Sequence, residues 1–173
     1  MKVIAFGAST SSNSINKQLA AYTAKLIKGA EVEVIDLNDF PLPLFGEDKE
    51  KEVGKPENAQ AFFDKLGTAD ALVISFAEHN GAYTAAFKNL FDWTSRIDQK
   101  VYQGKSVIFL ATSPGPGGAG SVLASATGSA PYFAAEVKAS VSVPNFYDNF
   151  DASTQTVTND DIQSQLLKAA ATL

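Results

Sequence analysis

Hydroxyl and amide side chains crowd the segment that follows the first apolar run of the chain. Residues 7–16 read Gly-Ala-Ser-Thr-Ser-Ser-Asn-Ser-Ile-Asn and lead into a helical pattern. The first turn of a helix offers free N–H groups and the positive end of its dipole, which together bind phosphate, and hydroxyls add neutral donors. The segment has neither a Walker A loop nor Gly-x-Gly-x-x-Gly spacing. We predict a phosphate-binding loop; the alternative is that Ser and Asn only cap the helix.

A second polar segment contains the only histidine. Residues 77–84 read Ala-Glu-His-Asn-Gly-Ala-Tyr-Thr and follow a continuous apolar run. The imidazole of His79 can pack on a flat ligand or hydrogen-bond to it, whereas the alternative is an ordinary surface residue. A Ser-His-Asp hydrolase is disfavoured, because no Gly-x-Ser-x-Gly elbow supplies a nucleophile.

A third segment is rich in glycine and proline. Residues 112–121 read Thr-Ser-Pro-Gly-Pro-Gly-Gly-Ala-Gly-Ser. Glycine lets the backbone approach a ligand closely, so the N–H groups here could face the carbonyls and nitrogens of a planar ring. The alternative is a flexible surface turn.

Strand and helix patterns alternate along the chain and predict how these three segments are positioned. Apolar runs predict strands over 2–6, 31–36, 71–76, 106–111 and 136–143. Helical patterns cover 15–26, 57–66, 87–96, an Ala/Ser-rich stretch after Gly118, and a stretch from Asn159 or Asp160 to the end. This alternation predicts one three-layer α/β domain over 1–173 with a parallel sheet. Ligands of such sheets bind beyond the carboxyl ends of the strands, where strand order reverses, so the three segments together fit a mononucleotide. Spacing alone does not select FMN over another nucleotide.

Composition narrows the function classes. The 173 residues include 45% hydrophobic ones, carry a formal net charge of −5 and have no cysteine. Disulfides, thiolate metal sites and cysteine nucleophiles are therefore excluded, and no metal site is expected. The acidic balance, without a Lys/Arg cluster, disfavours nucleic acid. The first apolar run is too short for a signal peptide and no run suits a membrane span, so we expect a cytoplasmic protein.

The long stretch 37–55 is expected to carry function or a partner contact. Its alternating charges over 46–52 indicate a solvated loop or a short helix.

The three segments resemble motifs of the NAD(P)H-dependent FMN reductase family, which includes quinone, azo-dye and chromate reductases. Residues 8–16 occupy the places of Gly-Ser-x-Arg-x-x-Ser-x-Asn. Residues 77–93 are similar to the family segment that starts Pro-Glu-Tyr-Asn and ends Lys-Asn-x-x-Asp-Trp. Residues 113–118 match its glycine-rich segment, and 36–44 resemble the stretch after its second strand.

The resemblance implies a flavodoxin-like fold of strand order 2-1-3-4-5, FMN as cofactor and NADPH or NADH as co-substrate. It implies ping-pong hydride transfer through the flavin to a quinone-like or other small acceptor, in a homodimer or homotetramer. In the family the helix over 87–96 helps to form the dimer, so Phe91 and Trp93 are candidate interface anchors, although structural roles are favoured for its polar residues. No protein acid or base is assigned; His79 is the one candidate proton donor in the loops. The implied FMN-binding residues are Ser9, Ser11, Ser14, Ile15, Asn16, Glu78, His79, Asn80, Gly81, Ser113, Pro114, Gly115, Gly117 and Gly118.

The chain departs from the family motifs at two places that matter for binding. Ser11 stands where the family has arginine, and His79 stands where it has tyrosine. An arginine fork makes charge-assisted phosphate contacts that a hydroxyl does not match, so a lysine from elsewhere would have to substitute or the affinity would fall. Two alternatives therefore stay open: a flavodoxin-like electron carrier or flavin-binding protein without direct NAD(P)H oxidation, and a fold relative without flavin. Flavodoxin phosphate loops have a central glycine that residues 9–16 lack.

Overall fold

The computed structural model describes all residues from Met1 to Leu173. Its elements alternate as the apolar pattern predicts. In chain order they are β1 Lys2–Ala8, α1 Ile15–Lys25, β2 Glu31–Val34, α2 Glu47–Val53, α3 Glu57–Gly67, β3 Ala71–Phe76, β4 Glu78–His79, β5 Ala82–Tyr83, α4 Ala85–Ser95, β6 Ser106–Thr112, α5 Gly120–Ser129, β7 Glu136–Val143, α6 Phe146–Asn149, β8 Phe150–Asp151, β9 Thr156–Val157 and α7 Asp160–Ala170. No helix is long and apolar enough to cross a membrane.

Five strands form one parallel sheet in the order β2-β1-β3-β6-β7, which confirms the predicted order. The chain leaves β1 for the edge strand β2 and returns to β3 on the other side of β1. Strand order therefore reverses between β1 and β3, and a crevice at the carboxyl ends of these strands is the expected ligand position.

The sheet is buried on both faces. One layer of core residues packs between the sheet and α3, α4 and α5, and contains Phe6, Phe62, Phe76 and Phe109. The other layer packs against α1 and α7. Because β1, β3 and β6 face a core on both sides, almost every one of their residues is buried, which explains their continuous apolar sequence.

Several local features differ from the sequence predictions. β2 ends at Val34, because the Asp36 side chain accepts the Asn38 N–H and begins a 3₁₀ turn. The alternating charges, by contrast, form the short helix that was one of the two predicted alternatives, α2, which has no buried residue. The segment 77–84 is not a plain loop, since it contains the hairpin β4–β5. A second hairpin, β8–β9, was not predicted.

Gly7 lets β1 and α1 approach one another closely. A Cβ at this position would lie 2.4 Å from the Lys17 backbone N and 2.9 Å from the Asn16 backbone C. Both neighbours are backbone atoms, which cannot turn aside as a flexible side chain would. Gly7 therefore sets the distance between the sheet and the start of the helix that follows the first polar loop.

We expect Gly7→Ala to lower the free energy of unfolding by about 1–3 kcal/mol, because the added methyl overpacks this contact. The measurement is urea unfolding followed by far-UV circular dichroism. Gly128→Ala is the matched control, since a Cβ there meets nothing within 4 Å and alanine favours the helical conformation of α5. Equal free energies of unfolding for the two variants would contradict the role of Gly7 in setting the distance between β1 and α1.

Candidate functional site

A cleft of about 230 Å³ opens at the carboxyl ends of β1, β3 and β6. All three polar loops contribute to it, as the position of the strand reversal predicts. Nine of the predicted site residues line it: Ser9, Ser11, Ser14, Ile15, Asn16, Glu78, His79, Ser113 and Pro114. Five do not: Asn80, Gly81, Gly115, Gly117 and Gly118. The other lining residues are Asn13, Ala77, Thr112 and Tyr147.

The first loop both caps α1 and leaves donors for a ligand. The Ser14 Oγ accepts the Lys17 backbone N–H at 3.1 Å, which is the helix cap that the sequence offered as an alternative. The backbone N–H groups of Ile15 and Asn16 have no acceptor in the chain. Since the hydroxyls of Ser9 and Ser11 line the same cleft, this set of neutral donors fits a phosphate group.

The side chain of Asn16 is buried and makes three hydrogen bonds to other protein groups. Its Nδ2 donates to the Thr112 carbonyl at 3.1 Å, while its Oδ1 accepts the Thr112 N–H at 3.1 Å and the Ser75 hydroxyl at 2.7 Å. Only 2% of the residue is exposed. The predicted ligand role of Asn16 therefore belongs to its backbone N–H, whereas its amide joins α1 to the ends of β3 and β6.

We expect Asn16→Ala to lower the free energy of unfolding by about 2–4 kcal/mol, because buried groups of Thr112 and Ser75 lose their partners. Ser75→Ala is the milder comparison, at about 1 kcal/mol, since Asn16 keeps its two bonds to Thr112. Both values come from urea unfolding. A loss for Asn16→Ala no larger than that for Ser75→Ala would show that the amide is not the main link.

The second loop is shaped by a tight turn. Asn80 and Gly81 have φ of 53° and 77°, and they connect β4 to β5. Positive φ at both residues is the requirement of a type I′ hairpin turn, which Asn-Gly satisfies best. The dipeptide was a readable signal for this hairpin. These two residues place Glu78 and His79 in the cleft rather than lining it themselves.

Glu78 and His79 differ in their surroundings. The Glu78 Oε2 accepts the Val122 backbone N–H at 2.8 Å and so caps α5, whose preceding residue Ala119 has no capping side chain. His79 is exposed, and no hydrogen bond joins its imidazole to a serine or a carboxylate. The structure thus contains no Ser-His-Asp relay on this histidine.

The third loop is attached to the segment after β7 and is not a free surface turn. The Ser113 carbonyl accepts the Phe146 N–H at 3.0 Å, and the Gly115 carbonyl accepts the Asn145 N–H at 2.9 Å. Gly118 has φ of 56°, and a Cβ there would lie 2.3 Å from the Ser142 Oγ. Gly118 is therefore required by packing against β7, not by the cleft.

Tyr147 is the cleft residue that sequence reasoning missed. It follows β7, whose carboxyl end lies at the same edge of the sheet as the three loops, and 69% of it is exposed. No motif marks it. Its position after the end of β7 is the only signal that the sequence offers for it.

No lysine or arginine lines the cleft. The one cation in the first turn of α1, Lys17, forms an ion pair with Asp36 and lines a separate cavity of about 320 Å³. Hydrogen bonding to Lys17 lowers the pKa of Asp36 below its ordinary value. The lysine that could have replaced the family arginine is thus engaged elsewhere.

Asn89 and Trp93 of α4 hold the stretch after β2 through hydrogen bonds. The Asn89 Nδ2 and the Trp93 Nε1 both donate to the Pro43 carbonyl, at 3.0 and 2.7 Å, and the Asn89 Oδ1 accepts the Phe45 N–H at 2.7 Å. Trp93 is completely buried, so it is a core residue and the expectation of an interface anchor is wrong for it. The structural role expected for Asn89 agrees with these bonds.

Comparison with known proteins identifies the family. The family model described as NADPH-dependent FMN reductase matches residues 1–148. The chain belongs to this family. An NAD(P)H-dependent FMN reductase of Pseudomonas aeruginosa is 29% identical over 116 residues, which are 66% of this chain and 61% of that protein. A 2-hydroxy-1,4-benzoquinone reductase of a Burkholderia species is 33% identical over 117 residues, 66% of this chain and 62% of that protein. The chain thus spans about three fifths of the length of these relatives.

Solved structures confirm the flavodoxin-like fold of the FMN reductase family. The NAD(P)H:(acceptor) oxidoreductase FerB of Paracoccus denitrificans superposes with a TM-score of 0.74 at 24% identity, covering 98% of this chain and 93% of that one. RosB, solved with a bound flavin-derived intermediate, superposes with a TM-score of 0.74 at 14% identity. At these identities, the likeness supports the fold.

Proposed function

We propose that the chain is an FMN-dependent oxidoreductase that uses NADPH or NADH to reduce a quinone-like or other small acceptor. The observation that carries this proposal is the cleft itself. It lies where strand order reverses in a member of the FMN reductase family, and it combines free N–H donors with two further loops. Relatives named FMN reductase and quinone reductase agree with this chemistry.

Different parts of the cleft suit different parts of FMN. The first turn of α1, with the N–H groups of Ile15 and Asn16, would hold the phosphate. The hairpin residues Glu78 and His79 and the third-loop residues Ser113 and Pro114 would enclose the ribityl chain and the ring. When bound, FMN would supply the hydride chemistry, while the protein supplies orientation and electrostatics.

No side chain of the cleft is assigned as a catalytic acid or base. Glu78 is engaged as a helix cap, and His79 lies exposed to water at the rim. Because His79 is exposed to water, a proton from the solvent can serve the reaction. The chain's contribution is therefore binding and positioning.

A flavodoxin-like carrier is the competing function, and direct reduction by a nicotinamide separates the two. We expect the FMN-loaded protein to lose its flavin absorbance at about 450 nm when NADPH or NADH is added without oxygen. The measurement is an anaerobic spectrophotometric titration with each nucleotide.

Photoreduction of the same sample is the control that its flavin can be reduced at all. Flavin that stays oxidised with both nucleotides, yet is reduced by light, would favour the carrier. Failure of the protein to bind FMN at high micromolar concentration would favour a relative that has lost flavin.

We further propose that the protein is cytoplasmic.

We also propose that the protein assembles as a homodimer through the stretch after β2. Leu44 is 81% exposed, although the residues on either side of it are fixed by Asn89 and Trp93. Next to it is an apolar groove of about 280 Å³, lined by residues that include Phe40, Leu42 and Leu90. An exposed apolar side chain on a fixed backbone, next to an apolar groove, is typical of an interface.

We expect Leu44→Asp to convert the dimer to a monomer, because a carboxylate would be desolvated at the interface. Light scattering coupled to gel filtration gives the mass. Leu167→Asp is the matched control, since Leu167 is an exposed leucine on α7 at the opposite face of the sheet. An unchanged mass for Leu44→Asp, or the same change in both variants, would contradict this interface.

A further inference from the structure

The phosphate end of the cleft lacks a cation. Ser11 occupies the place of the family arginine, Lys17 is paired with Asp36, and the charged carboxylate that lines the cleft is that of Glu78. A phosphate dianion bound here must be stabilised by neutral donors. The donors available to it are the hydroxyls of the first loop and the first-turn N–H groups of α1.

Tyr147 is held rigidly at this cleft although its own side chain is exposed. The neighbouring Asn145 and Phe146 donate their N–H groups to the Gly115 and Ser113 carbonyls. Phe146 is buried and stacks on Phe150 with ring centroids 4.7 Å apart. The backbone of Tyr147 is thus fixed by its neighbours, while its ring packs edge-on against Phe146 at 5.7 Å and 69% of the residue stays exposed beside the cleft.

The segment that carries Tyr147 also contacts α1. Phe150 packs edge-on against Tyr22 at 6.0 Å, and the Gln155 side chain reaches Gln18 at 3.3 Å. Tyr147 therefore enters the cleft from an element that borders the phosphate-binding helix. His79 is the other long side chain in the cleft that can donate a hydrogen bond. It comes from the β4–β5 hairpin, which the proposed function places beside the flavin ring.

We propose that the Tyr147 hydroxyl donates a hydrogen bond to the FMN phosphate and so replaces the arginine that the family has at Ser11. This inference rests on the proposed binding of FMN. A phenol supplies one strong neutral donor at the end of a stiff side chain, which suits a phosphate that no cation reaches.

The test compares FMN with riboflavin, which lacks the phosphate. Dissociation constants are measured from the quenching of flavin fluorescence. We expect Tyr147→Phe to weaken FMN binding roughly tenfold to a hundredfold, because a hydrogen bond to a charged group is lost, and to leave riboflavin binding unchanged. Tyr132→Phe is the matched control, since Tyr132 is an exposed tyrosine outside the cleft.

A second variant tests the replacement. Ser11→Arg added to Tyr147→Phe should restore the affinity for FMN and leave that for riboflavin unchanged. Equal losses for both flavins in Tyr147→Phe would overturn the inference and place the phenol at the ring. Unchanged FMN binding in Tyr147→Phe would also overturn it while leaving the proposed function intact. A wild-type chain that binds neither flavin would instead overturn the proposed function.

Discussion

One buried amide joins the start of α1 to the ends of two central strands. The Asn16 side chain bonds both backbone groups of Thr112 and the hydroxyl of Ser75, so it makes three hydrogen bonds in the core. The free N–H groups of the first helical turn keep their place above the sheet because of this link. Gly7 makes the same approach possible from the side of β1.

The three loops around the cleft are joined to one another in a similar way. The Glu78 carboxylate connects the hairpin after β3 to the start of α5, and the third loop shares two backbone bonds with the segment after β7. Thr84 joins the end of β1 to the start of α4, because its hydroxyl donates to the Ala8 carbonyl at 2.9 Å and accepts the Phe87 N–H. Residues that resemble a binding motif thus serve largely to preorganise the walls of the cleft.

Hydrophobic pattern was sufficient to predict the five strands of the parallel sheet, because strands buried on two faces leave a continuous apolar signal, whereas the strand order came from the resemblance to the FMN reductase family. It was insufficient where a polar side chain decides local structure. The end of β2 depends on the Asp36 cap, and the roles of Asn16 and Glu78 depend on partners far away in sequence. The Asn80-Gly81 dipeptide is a sequence signal for the β4–β5 hairpin. No motif marks Tyr147, and apart from its position after β7 its place in the cleft depends on how the segment 146–155 packs on α1.

The amide of Asn16 also has a kinetic consequence. Its partner Thr112 is 96 residues away in sequence, whereas the Asn80-Gly81 hairpin closes over a few residues. Contacts between distant residues carry a larger loop-closure entropy and form more slowly than local ones. The loop before α1 is therefore synthesised early, but we expect it to acquire its final shape only after β6 has joined the sheet. A nascent chain that has not yet reached β6 contains this loop without the bonds between Asn16 and Thr112.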